Sequence, residues 1–134
     1  MIVVDTNVLI HTLLPDPATE TAKAVLRRDS DWHAPSIWRS ELRNALVLLA
    51  RADRLPWNDA PLLMEVAERR MARLGHAVPS SAVLEAARRS GCTAYDAEFA
   101  VLAERLDVPL VTWDRALLDA FAGRAVTPED FAGS

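Results

Sequence analysis

Along the chain the hydrophobic positions change period repeatedly, and each change marks an element. Ile2-Val3-Val4 is a short β-branched run without alternation, bounded by Asp5, the pattern of a strand buried on both faces. Residues 5–14 read as helix, ending before Pro15 and Pro17, because proline disfavours helix in the residue ahead of it. A second helix is predicted over about 18–28, with Ala22, Val25 and Leu26 on one face. Trp32-His33-Ala34-Pro35 is a weak strand, and Pro35-Ser36 opens a strong helix to about Ala52.

Pro56 begins another helix in which Leu63, Ala67, Met71 and Leu74 recur at helical spacing, with Gly75 as its stop. His76-Ala77-Val78 is a candidate short strand, and Ser80 or Ser81 caps a helix that runs to about Ser90 and ends at Gly91. Thr93 starts a helix to about Leu106, followed by the second clear strand, Pro109-Leu110-Val111-Thr112. Asp114 then caps a short helix to Phe121, Ala125-Val126 is a last strand, and Thr127-Pro128-Glu129-Asp130 opens a final helix. Strands alternating with helices predict an α/β fold of three layers, α/β/α, with a mostly parallel central sheet reached by right-handed crossovers. No repeat, low-complexity tract or linker interrupts residues 1–134, and that length suits one domain.

Four acids stand out against this pattern. Asp5 and Asp114 follow strands, so both emerge at one sheet edge if those strands are neighbours. In the helix after Ser36, Trp38, Glu41, Ala45 and Leu48 share a stripe; in the helix after Thr93, Asp96 heads the stripe Phe99, Ala100, Ala103 and Leu106. Each acid alone has an ordinary alternative: Asp5 and Asp114 as N-caps, Glu41 and Asp96 as first-turn acids favoured by the helix dipole. Together they repel and raise one another's pKa unless a cation neutralises them. An oxygen-only donor set suits Mg²⁺ or Mn²⁺, and the chemistry that uses such a site is hydrolysis of phosphoryl esters.

Composition changes this picture little. The chain is 51% hydrophobic and 25% charged, as soluble globular proteins are, and its net charge of −4 supplies no basic field for nucleic acid. Lys23 is the only lysine, so the positive charge is nearly all arginine, which grips phosphate bidentately. Cys92 is the only cysteine, which excludes an intramolecular disulfide and predicts a small core residue. The first apolar run breaks at Asp5 without a basic leader, so no signal peptide is expected, nor a membrane span, and the predicted location is the cytoplasm.

The motifs carry a resemblance. VVDTNVLI at the start, SELRNAL around Glu41, YDAEFAVLAERL around Asp96 and LVTWDRAL around Asp114 look like the four signatures of the PIN domain, in order and over essentially the whole chain. Their spacing is similar to that of VapC-type toxins of bacterial toxin–antitoxin pairs. The resemblance implies a metal-dependent endoribonuclease in which Asp5, Glu41, Asp96 and Asp114 share one or two Mg²⁺ or Mn²⁺ ions. Asp5 and Asp96 would be direct ligands, and Thr6, Asn7 and Thr112 would orient the carboxylates by hydrogen bonding. It further implies a cognate antitoxin, a homodimer, a sheet centred on the strand of Asp5, and RNA products bearing 5′-phosphate and 3′-hydroxyl ends.

Arg39, Arg43 and Arg115 are candidates for gripping RNA phosphates, with solvated or acid-paired arginines as the alternative. Trp113, with Tyr95 and Trp38, neighbours a motif acid and is a candidate for stacking on unpaired bases, core packing being the expectation for Trp38. Arg69, Arg70 and Arg73, with Arg88 and Arg89, are expected on solvated faces, and so is Glu98. His11, His33 and His76 lack ligand-like spacing and are assigned no chemistry. Two other functions compete. A haloacid-dehalogenase-like phosphatase needs a second Asp where this chain has Asn7, and a receiver domain needs an acidic pair that is not evident. A catalytically inactive PIN-fold interaction scaffold needs neither, yet gains nothing from clustering four acids.

Overall fold

A computed structural model describes residues 1–71 and 75–133. In chain order its elements are β1 (Ile2–Val4), α1 (Thr6–His11), α2 (Thr19–Arg28), β2 (Trp32–His33), α3 (Trp38–Arg51), α4 (Asp59–Arg70), α5 (Ser80–Ser90), α6 (Ala94–Leu106), β3 (Leu110–Val111), α7 (Arg115–Ala120), β4 (Ala125–Val126) and α8 (Pro128–Gly133). The four strands form a parallel sheet in the order β2-β1-β3-β4, flanked by helices in a three-layer α/β/α arrangement. Ile2, Val3 and Val4 are sealed on both faces, which is why β1 carries no polar alternation. Under β1 and β3 lies α6, with Phe99, Ala100 and Ala103 buried, and α5 and α7 pack beside it. Elsewhere α1 packs on α2 and α3, α2 on α8, and α3 on α4.

The strand order fixes where a ligand would sit. From β1 the chain crosses to β2 on one side; from β3 it crosses to β4 on the other. Connections that leave in opposite directions open a crevice at the carboxyl ends of β1 and β3, the switch point at which open α/β sheets bind ligands. Val3 pairs with Leu110 and Val4 with Val111, so Asp5 and Thr112 come abreast one step further on.

Several boundaries differ from those read in the sequence. α1 stops at His11 instead of residue 14, because the Thr12 hydroxyl turns back to the Leu9 carbonyl at 2.7 Å and Arg70 binds the Thr12 carbonyl at 3.1 Å. α4 stops at Arg70, not Gly75, since Met71 drops into extended backbone (ψ 134°) and bridges Trp32 on the outer edge of β2. Leu74, counted in that helical stripe, and Arg73 lie outside the described residues. His76 pairs with Pro35 as a single bridge and does not extend into a strand. Gly75 holds this edge in place: at φ +128° it lies so close to α3's entry that a β-carbon there would come within 2.6 Å of Ser36 Cα. Neither Ser80 nor Ser81 caps α5, whose N-cap is Pro79. Gly91 does end α5 in the left-handed conformation at φ 76°.

Candidate active site

Asp5 follows the last residue of β1 and is 8% exposed. It occupies the N-cap position of α1 but makes no side-chain capping bond. Its carboxylate faces β3 instead, where Oδ2 accepts a hydrogen bond from Thr112 Oγ1 at 2.7 Å. The same Thr112 oxygen accepts from the Asp114 backbone N–H at 2.9 Å, so one wholly buried hydroxyl ties the ends of β1 and β3 together. At Asp114 the capping alternative is the one realised: Oδ1 accepts from the Leu117 N–H at 3.0 Å and starts α7.

The other two acids arrive on helices. Thr93 caps α6 by accepting the Asp96 N–H at 3.1 Å, which fixes Asp96 in the first turn. Glu41 lies in the first turn of α3, and its Oε1 accepts from Thr6 Oγ1 at 2.8 Å. The stripe expected on α3 is displaced by one position: Trp38, Leu42, Leu46 and Ala50 are buried, whereas Leu48 is 55% exposed. Glu41 therefore sits at the flank of the packed face, half-buried.

The protonation of these groups records their burial first and their proximity second. Burial raises Asp5 from an ordinary 3.8 to about 6; the Thr112 bond opposes the rise, and the charges of Asp96 and Asp114 add to it. Burial likewise raises Glu41 from 4.5 to about 7 against the Thr6 bond, helped by the charges of Asp5, Asp96 and Glu98. Asp96 is raised by burial and then by Asp114. Glu98 is not the solvated acid its spacing predicts. It is partly buried beside Val83 and Leu84 of α5, which raises its pKa, and its charge reaches Glu41.

None of the ion pairs among the described residues involves Asp5, Glu41, Asp96 or Asp114. Asn7, two residues after Asp5, has a buried Oδ1 with no hydrogen-bond partner among the described residues. An oxygen-only set of acids without a side-chain counter-charge fits Mg²⁺ or Mn²⁺ in donor chemistry. As the side chains stand, no three His, Cys, Asp or Glu among the described residues are drawn around one point. Asp114 caps α7 and Glu41 accepts from Thr6, so one oxygen of each is engaged by the protein's own donors.

The arginines divide. Arg115, exposed, directly follows Asp114. The structure does not bring Arg39 and Arg43 to the acids. Arg39 stacks on the Trp38 ring and reaches Glu68 of α4 at 3.5 Å, and Arg43 lines a cavity of about 260 Å³ with Trp57 and Met64 between α3 and α4. Residues 39 and 43 share one helix face, roughly opposite residue 41.

Two features escaped the sequence reading. His33 Nδ1 lies 2.9 Å from His76 Nε2, a pairing across 43 positions that no local spacing signals. His11 meets Trp113 edge-on, with centroids 5.3 Å apart, and shares its Nδ1 with Asp16 Oδ2 at 2.6 Å. Here a signal was available, since His11 ends the helix that begins beside Asp5.

An open parallel sheet, with acids near the ends of β1 and β3, defines a three-layer α/β/α protein. Residues 2–123 match the family model of the PIN domain, and the chain belongs to that family. PIN domains are generally nucleases that use divalent metal ions, and membership sets the phosphatase and receiver readings aside. Among solved structures, PAE2754 from Pyrobaculum aerophilum is similar at 25% identity and a TM-score of 0.80, over 98% of this chain and 93% of that one. FitAcB from Neisseria gonorrhoeae shares the fold at 23% identity and a TM-score of 0.73, over 96% of this chain and 98% of that one. None of the curated proteins matches this chain. No helix among the described residues is long and apolar enough to cross a membrane.

Proposed function

We propose that the chain is a Mg²⁺- or Mn²⁺-dependent endoribonuclease of the VapC type, the toxin of a toxin–antitoxin pair. The observation that carries this reading is the set of acids at the β1/β3 switch point, raised by burial and by one another. Asp5 and Asp96 would hold the ion directly, and Glu41 and Asp114 would complete its ligand set, for one ion or two. When bound, the ion neutralises the acids and supplies Lewis-acid activation of water and phosphate. Thr112 and Thr6 aim the carboxylate oxygens of Asp5 and Glu41, and Asn7, two residues after Asp5, has a buried carbonyl oxygen without a partner among the described residues. Arg115, exposed and next in the chain to Asp114, binds a substrate phosphate.

The toxin role, the cognate antitoxin, the homodimer, the cytoplasmic location and the organisation of residues 1–134 as one domain belong to the same proposal. The test is cleavage of RNA by purified protein with and without Mg²⁺ or Mn²⁺. Activity should vanish with chelator and in folded Asp5→Asn and Asp96→Asn variants; undiminished cleavage by both variants would sink the assignment. Growth arrest on expression, relieved by a small neighbouring reading frame, tests the toxin role.

One observation favours the inactive scaffold: Asp114 already serves as the cap of α7. That reading expects partner binding with no cleavage in any divalent ion.

A further inference from the structure

Four tryptophans are present, and three are accounted for without reference to the crevice. Trp32 is fully buried and donates Nε1–H to the Asp29 carbonyl at 2.7 Å; Trp38 is core; Trp57 is exposed on the loop before α4. Trp113 differs. It is partly buried, sits in the chain between Thr112 and Asp114, and is gripped from two sides by distant elements. From α8, both Glu129 carboxylate oxygens accept its Nε1–H, at 3.0 and 2.9 Å. From α1, His11 meets its ring edge-on, at an interplanar angle of 88°. His11 is itself pinned by Asp16, whose other oxygen accepts from the Ala18 N–H at 2.8 Å.

We infer that Trp113 is a stacking platform for an unpaired nucleobase of the RNA whose phosphodiester is handled at the adjoining acids, with His11 and Glu129 as its buttresses. The inference rests on the ribonuclease reading and adds to it a subsite and a residue network. Three points support it. A ring locked in place before binding loses little freedom when a base settles on it. The carboxylate of Glu129 holds the indole N–H edge of the ring, and its charge disfavours a phosphate there while leaving a neutral base face unopposed. Stacking tolerates any base but requires one that is unpaired, so the platform selects single-stranded RNA over duplex.

The test measures binding of a short fluorescein-labelled single-stranded RNA of random sequence, in chelator so that no cleavage occurs, together with the kcat and KM of cleavage in Mg²⁺ or Mn²⁺. Trp113→Leu keeps apolar bulk but no π-face, and Trp113→Phe keeps the face. The leucine variant should bind roughly tenfold more weakly, with the loss in KM more than in kcat, and the phenylalanine variant should recover most of it. The salt dependence of binding should stay as in wild type for both, because a base contact releases no counterions, whereas Arg115→Ala should flatten it. His11→Ala, which frees the ring without touching the acids, should weaken binding by a smaller factor.

Equal affinities for the leucine, phenylalanine and wild-type proteins overturn the platform alone, since the wild type still binds and cuts RNA. A leucine variant with a flattened salt slope also overturns it, by showing a phosphate contact. A wild type that neither binds single-stranded RNA in chelator nor cuts it in Mg²⁺ or Mn²⁺ overturns the platform and the ribonuclease reading together.

Discussion

Thr112 and Asp5 lie 107 residues apart in the chain and 2.7 Å apart in the fold, joined by a hydroxyl-to-carboxylate hydrogen bond across β1 and β3. Thr112→Val keeps the shape and removes that donor, and with it the acceptor for the Asp114 N–H. RNA cleavage should fall roughly 10- to 100-fold, the usual cost of losing a group that orients an ion-binding carboxylate. With its restraining bond gone, Asp5 should titrate higher, moving the acid limb of the pH–rate profile to higher pH. Thr112→Ser should restore both quantities; a valine variant with the wild-type rate and profile would remove Thr112 from the machinery.

Without divalent ions the fold should lose stability as pH rises. Asp5 titrates near 6 and Glu41 near 7 in the fold, against ordinary values of 3.8 and 4.5. Between those limits the folded chain keeps protons that the unfolded chain has released, so unfolding free energy falls from about pH 4 to about pH 7 and then levels. Asp5→Asn removes the more deeply buried charge and should raise stability above pH 7 by on the order of 2 kcal/mol, with little effect at pH 4. Thermal melts in chelator across this range measure it, and a wild-type Tm that climbs with pH through this window would contradict the assignment.

Divalent ions should reverse that slope. Carboxylates bind them only when deprotonated, so Mg²⁺ or Mn²⁺ should raise Tm at pH 8 and barely change it near pH 5. At a hundredfold excess over Kd the stabilisation is about 2.7 kcal/mol. Asp5→Asn and Asp96→Asn should abolish the rise, which calorimetry or fluorescence melts will report.

The outer edge of β2 depends on one backbone position. Gly75→Ala puts a β-carbon 2.6 Å from Ser36 Cα at φ +128°, and should destabilise the protein by more than about 2 kcal/mol in urea unfolding. Gly91→Ala also meets a positive φ, but in open space, and should cost only about 1 kcal/mol. Equal midpoints for the two variants would remove the close approach as the reason for glycine.

Much of the acid set was legible because each acid sits where a local rule operates. Asp5 ends an apolar β-branched run, Thr93 with Asp96 forms a capping pair, and Asp114 follows a strand and caps a helix. Those rules involve neighbours within a few residues, so the elements around them were readable too. Positions set by tertiary contact were not. α1 loses its last turn to Arg70, which arrives from α4, and α4 itself is cut short because Met71 finds a partner in Trp32. Glu98 was placed in solvent by helical spacing within α6 alone, although it borders Val83 and Leu84 of α5 and is only partly exposed. Arg39 and Arg43 were grouped with Glu41 by nearness in sequence, when an offset of two residues turns a side chain to nearly the opposite face of a helix.

The tether between Thr112 and Asp5 also makes the acid site a property of the sheet and not of any one segment. The two residues are 107 positions apart, and their bond exists only when β3 is docked beside β1. Undocking that one strand pair would therefore disperse the acids before the rest of the core is lost, so local opening of the sheet and loss of the site are one event.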